Sequence, residues 1–214
     1  MLINIIFCHY SMKHRLVKLT PLIITTTLLA GCASLSTPHF QKIPWQTRQN
    51  NQQQIKHWHA QGTINITTPQ FSQSAYFNWH FQSPDHYQLH LFGPLGLGGT
   101  QLKVTPNKAQ LTTNKGTVYK APSAQYLLYE YTSWQLPLKY LYYWVRALPA
   151  PNPSIQTYQL NQFNHLTKLQ QHQWRIKFIR YQTIEPGTDL PQKLQIKGQD
   201  LTVTVIIHDW QLNS

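Results

Sequence analysis

From about residue 55 onward, apolar and polar positions mostly alternate with a period of two, the signature of strands with one face buried and one face wet. Ala75, Phe77, Trp79 and Phe81 alternate with Ser74, Tyr76, Asn78 and His80, and Tyr87, Leu89 and Leu91 alternate with His86, Gln88 and His90. Ser83-Pro84-Asp85 supplies a turn between these two runs, so they predict a hairpin. Residues 58–67, 101–105, 109–113, 116–120, 174–182, 192–197 and 201–211 read as further strands, with Asn114-Lys115-Gly116 joining one pair. Two segments depart from the rhythm. Residues 123–131 follow Pro122 and lack strand alternation, which predicts a short helix. Leu138, Leu141, Tyr142 and Val145 stand at i, i+3, i+4 and i+7 in a segment that opens after Pro137 and stops before Pro149, which predicts an amphipathic helix over 138–147. Strands, then helices, then strands again predict a mainly β (α+β) domain, a curved and unclosed antiparallel half-barrel with the helices near 123–147 as a lid over one opening.

The N-terminal region follows other rules. Lys13, His14, Arg15 and Lys18 precede an apolar stretch over 19–30 that is broken only by threonines and ends in Leu29-Ala30-Gly31-Cys32. A basic segment, a short apolar segment and small residues before a cysteine, in that order, mark a bacterial lipoprotein signal peptide, and the stretch is too short to span a bilayer. Cleavage before Cys32 and acylation of its thiol are the expected processing. Two or more acyl chains hold a protein stably on a membrane, at about 0.8 kcal/mol per buried methylene, where one binds marginally. Met12 is the better start, which sets residues 1–11 and their Cys8 apart from the fold. The expected organisation is a signal peptide over 1–31, a lipidated N-terminus and tether over 32–54, rich in Ser, Thr and Pro and then in polar residues, and a folded body over 55–214. With Cys8 removed and Cys32 acylated, no disulfide is available, so the body depends on packing. The covalent lipid on Cys32 is the expected prosthetic group, and no other cofactor is implied.

Composition adds two points. The chain carries a formal charge of +12, with its basic residues scattered rather than in a run. A secreted, lipidated protein meets anionic headgroups before it meets nucleic acid, so the charge points to a membrane-facing patch or a solvated basic surface. Aromatic residues make up 13% of the chain, with seven Trp and twelve Tyr. Any single Trp reads as core packing, but so many large rings with polar atoms fill a closed core awkwardly, and as a collection they suit the walls of a cavity.

Candidate chemistry is sparse. Asp85, Glu130, Glu185, Asp189, Asp200 and Asp209 show no paired or metal-ligand spacing. His57 and His59 share a strand face without an acidic or cysteine neighbour, and His208-Asp209 lacks a Gly-x-Ser-x-Gly elbow, so neither a metal site nor an enzyme is indicated. The most unusual local stretch is Gly93-Pro94-Leu95-Gly96-Leu97-Gly98-Gly99, a hairpin connection that holds two leucines among residues too small to bury them, so that either both stand exposed or one folds back onto the core. Its glycines do not match a dinucleotide-binding loop.

The order of these pieces resembles the LolB family of outer-membrane lipoproteins. The resemblance rests on Cys32 in its lipobox, Trp58 with Gly62, Phe77-x-Trp79, and Tyr87-x-Leu89-x-Leu91 running into Pro94-Leu95-Gly96. It continues through Asn114-Lys115-Gly116 with Tyr119 and Ala121, Leu136-Pro137, Trp144 with Leu148-Pro149, Trp174-x-Ile176-x-Phe178, Leu190-Pro191-x-Lys193-Leu194 and Trp210. Two departures stand out. Ala147 replaces the glycine that often follows the Trp-containing helix, and Leu97-Gly98-Gly99 makes the loop richer in glycine.

The resemblance implies a lipid-anchored protein on the periplasmic face of the outer membrane that takes client lipoproteins from a soluble LolA-like carrier. It would bind their acyl chains in an apolar cavity and insert them into outer-membrane phospholipid. Pro94, Leu95 and Gly96 would form the membrane-insertion loop, with Leu95 projecting into solvent. Trp58, Phe77, Trp79, Leu89 and Tyr142 are the candidates for the cavity wall. Ala33, which is not aspartate, fits the outer-membrane address by analogy. A monomer is expected, with no nucleic-acid partner. The rivals are the soluble carrier of the same pathway, which lacks a lipidated cysteine, and a structural or partner-binding lipoprotein without a lipid cavity.

Overall fold

The computed structural model describes residues 40–94, 98–132, 136–152 and 154–213. Cys32 and residues 95–97, which include Leu95 and Gly96, lie outside them. Eleven strands form one antiparallel sheet: β1 (His57–Thr67), β2 (Ser72–Ser83), β3 (His86–Phe92), β4 (Gly99–Thr105), β5 (Lys108–Thr112), β6 (Val118–Ala121), β7 (Ile155–Leu160), β8 (Leu166–Gln171), β9 (Trp174–Glu185), β10 (Thr188–Lys197) and β11 (Thr202–Asn213). Their order is β6-β5-β4-β3-β2-β1-β11-β10-β9-β8-β7. Strands β2 to β5 and β8 to β10 therefore lie between their neighbours in sequence, and β1 pairs with β11 in the middle. The sheet does not close, because β6 and β7 are both edges.

The chain passes from one edge to the other through α2 (Ala124–Thr132) and α3 (Leu138–Trp144). The N–H of Tyr126 donates to Ser123 Oγ (3.2 Å) at the start of α2, and α2 packs on β5 and β6. Helix α3 ends in a tight cap. Leu148 N–H reaches Tyr143 O (3.0 Å), Ala147 N–H reaches Trp144 O (2.9 Å), and Ala147 has φ 56°. This is a Schellman arrangement with its left-handed position filled by alanine, so the family's frequent glycine at this point has a backbone reason. Among the described residues, no helix is long and apolar enough to cross a membrane.

Two features depart from the pattern-based expectation. The segment expected to be a tether up to residue 54 contains α1 (Trp45–Gln54), docked against β10. Its buried face is polar, formed by Arg48 and Gln52, four residues apart. Apolar periodicity therefore had nothing to register. The Arg48 guanidinium donates to Asp189 Oδ2 (2.9 Å), Gln41 O (3.0 Å) and Phe163 O (3.1 Å), while Gln52 donates to Asp189 O (3.1 Å). The other addition is the β7–β8 hairpin. Strand β7 is exposed on both faces, and β8 buries Leu166, Leu169 and Gln171, which do not alternate.

The core runs along the concave face of the sheet. Phe77, Trp79 and Phe81 of β2 stand opposite Gly62, Ala60 and Trp58 of β1, while Trp79 and Phe77 face Leu89 and Leu91 of β3. A bulge between Gln61 and Gly62 shifts the β1–β11 register. As a result Ile207 and Trp210, three apart, both turn inward, where an unbroken strand would put them on opposite faces.

Candidate acyl-chain cavity

Sheet and helices enclose two adjoining hollows. The inner one, of about 90 Å³, is lined by Trp58, Ala60, Ile64, Ile66, Phe77, Trp79, Tyr87, Leu89 and Leu91 from β1 to β3. Val203, Val205, Ile207 and Trp210 of β11 and Leu128, Leu136, Leu138, Leu141 and Val145 of the helical region complete it. The outer one, of about 540 Å³, shares Ile64, Ile66, Leu89, Leu91, Leu128 and Leu138 with it and extends to Leu102, Leu111, Ala124, Leu127 and Tyr131. The inner hollow is thus a continuation of the outer, and their combined space falls within the roughly 300–1,000 Å³ range of ligand sites. Among the described residues, no charged side chain lines either one. Burial pushes the Tyr87 hydroxyl up to about 12, so it stays neutral at physiological pH.

Strand parity explains the lining. Trp58, Phe77, Trp79 and Leu89 fall in one wall because antiparallel pairing places their side chains on the same face. Tyr142 lies elsewhere. Leu138, Leu141 and Val145 of the same amphipathic segment face the inner hollow, but Tyr142 is on the flank of that stripe. It stacks on Phe81 at 5.1 Å and faces a third hollow of about 640 Å³ with Lys56, His57, Tyr143 and Arg146. Pattern reading also left out Val203, Val205, Ile207 and Trp210. The alternation of 203, 205 and 207 was visible, but nothing local tells that β11 lies beside β1.

The lid is held by buried polar contacts. Trp144 Nε1 donates to Gln171 Oε1 (2.9 Å), which also accepts from Ala150 N–H (2.9 Å), and Gln171 Nε2 donates to Ala150 O (2.9 Å). Arg146 joins α3 to the end of α1 by donating to Tyr142 O (2.9 Å), Gln52 O (3.1 Å) and Ile55 O (2.6 Å). Burial lowers the Arg146 pKa to about 10, so it remains a cation at neutral pH.

Gly93 and Gly98, which bracket Pro94-Leu95-Gly96-Leu97, stand in the wall of the outer hollow and are joined by a Gly93 N–H to Gly98 O hydrogen bond (3.4 Å). Pro94 is exposed, and Leu95 and Gly96 lie outside the described residues. The two strand histidines are already engaged, His57 with Gln82 O (3.0 Å) and His59 with Asn78 Oδ1 (2.7 Å) and Gln211 Oε1 (3.3 Å).

Comparison with known proteins agrees with this geometry. The family model described as outer membrane lipoprotein LolB matches residues 56–210. The outer-membrane lipoprotein LolB of Ectopseudomonas mendocina (strain ymp) is 37% identical over 189 residues, spanning 86% of this chain and 91% of that protein. The outer-membrane lipoprotein LolB of Francisella tularensis subsp. tularensis (strain WY96-3418) is 32% identical over 202 residues, spanning 94% of this chain and 96% of its own length. A LolA superfamily protein from Nitrosomonas europaea shares the fold with a TM-score of 0.50 at 8% identity, over 80% of this chain and 94% of the other. With the match running from the end of α1 to β11, across every wall of the two hollows, the chain belongs to the LolB family of outer membrane lipoproteins.

Proposed function

We propose that this protein is a receptor anchored in the outer membrane by lipid on Cys32, facing the periplasm, that accepts lipoproteins from a soluble LolA-like carrier and inserts them into the membrane. The observation that carries this reading is the hollow that runs from Trp58 to the Gly93–Gly98 loop, lined among the described residues by no charged side chain. Its walls suit acyl chains, at about 0.8 kcal/mol for each methylene taken out of water. Transfer needs no local energy source if the receiver binds those chains more tightly than the carrier does, and each tenfold advantage requires about 1.4 kcal/mol. Release follows because the bilayer is a still larger apolar phase. The protein acts as a monomeric transfer factor and performs no covalent chemistry on its client.

A fluorescent fatty acyl probe tests the cavity. The wild-type chain is expected to take it up. Leu91→Trp, which adds a ring to the wall shared by both hollows, should weaken uptake about tenfold, the equivalent of roughly two displaced methylenes. A protein that takes up no probe would leave the structural or partner-binding lipoprotein as the better account.

A further inference from the structure

Two buried hydrogen-bond donors, on residues that line the inner hollow, have no acceptor among the described residues. Trp58 is 1% exposed and Trp79 is 8% exposed, both line the inner hollow, and among the described residues neither indole N–H has a partner. Two other buried indoles are satisfied, Trp144 by Gln171 and Trp210 by Pro191 O (3.2 Å). Buried Trp N–H groups usually find partners, and an orphaned donor is costly. The rings of Trp58 and Trp79 meet edge to face at 4.8 Å, a weak contact that does not replace a carbonyl acceptor.

We infer that Trp58 and Trp79 receive the carbonyl oxygen at the head of an acyl chain, so that the hollow selects fatty esters and amides over hydrocarbon of equal length. This deepens the acyl-binding reading above and rests on it. An acyl chain begins at an ester or amide carbonyl, the one strong acceptor that must accompany it out of water, and the Trp58 and Trp79 indoles can only donate.

The spaces on either side fit that orientation. Toward Leu91 and Leu111 the outer hollow offers room for the tail. On the other side Phe81 stacks on Trp58 at 4.9 Å and fronts the third hollow, whose lining includes Lys56, His57 and Arg146 and no carboxylate. Polar parts of a lipid would therefore lie at the Phe81 end and hydrocarbon at the Gly93–Gly98 end, nearest the loop that carries Leu95.

The test uses the full lipidated chain in phosphatidylcholine vesicles, with a bound fluorescent acyl reporter displaced by methyl palmitate or by hexadecyl methyl ether. Wild type should prefer the ester about tenfold, the combined effect of two ordinary hydrogen bonds. Trp58→Phe and Trp79→Phe keep an aromatic ring while removing the N–H. Each should reduce the preference to about threefold, and the double variant should abolish it. Comparing ester with ether within each variant cancels any effect of ring size. Isotope-edited infrared spectra of a carbonyl-labelled ester should show a hydrogen-bonded band in wild type that is lost in the double variant. Equal displacement by ester and ether in wild type, or a preference that survives in the double variant, would overturn the inference while leaving the cavity in place. Failure of the reporter to bind at all would overturn the cavity together with it.

Discussion

Gly62 shows how one residue shapes the cavity. A Cβ at this position would lie 1.9 Å from the carbonyl oxygen of Ile206, closer than any side chain can come to backbone. The strand pair accommodates this approach at the bulge that turns both Ile207 and Trp210 inward. Gly62→Ala should therefore lower stability by about 1–3 kcal/mol, the usual cost of overpacking, and widen or misalign the inner wall. Urea unfolding measures it, and an unchanged midpoint would mean that the close approach is not constrained. At this scale much of the site was legible. The two-residue period put Trp58, Phe77, Trp79 and Leu89 on one face, whereas helical spacing placed Tyr142 within the right stripe but could not tell its centre from its flank.

At the scale of elements, the first helix is the informative case. Asp189 collects Arg48 Nη1, His165 Nε2 (2.8 Å) and Thr183 Oγ1 (2.6 Å), and so ties α1 to two later parts of the chain. Burial would push its carboxyl up, but hydrogen bonds from His165, Thr183 and Arg48 outweigh that and hold it below the ordinary carboxylate range. Since the folded carboxyl titrates lower than the unfolded one, the stability it contributes is complete above about pH 4 and is lost as pH falls through the folded value. Asp189→Asn removes the charge that balances buried Arg48, so it should cost about 3–5 kcal/mol and undock α1, with a flatter acid limb in a pH series of unfolding curves. A variant as stable as wild type at pH 7 would show that the helix is held by other contacts. This element escaped pattern reading because its inward residues are an arginine and a glutamine. The hairpin of β7 and β8 escaped because an edge strand wet on both faces has no alternation to read, and the two predicted helices were legible because they do show apolar spacing or follow proline.

Across the whole molecule, the wall of the outer hollow reaches the glycines on either side of the Pro-Leu-Gly-Leu segment. Delivery can therefore be separated from receiving. On the proposed function, Leu95→Glu alters delivery alone, so acyl-probe uptake should stay within about twofold of wild type, while insertion of client lipoproteins into vesicles should slow by more than tenfold because a carboxylate resists entry into hydrocarbon. Insertion at the normal rate by a folded Leu95→Glu protein would remove Leu95 from delivery. The half-barrel with a helical lid was legible from the succession of strands, helices and strands, but the central pairing of the first strand with the last was not, since it depends on no neighbouring residues. That pairing also dictates a timetable. Chain leaving a translocation channel can zip β1 to β2 and β2 to β3 at once, but the seam at β1 must wait for the final 12-residue strand. Until then Trp58, Ala60, Phe77 and Trp79 face water, contacts of long sequence separation form slowly, and the unfinished sheet invites aggregation. The walls of the hollow thus need shelter themselves while the protein is being born.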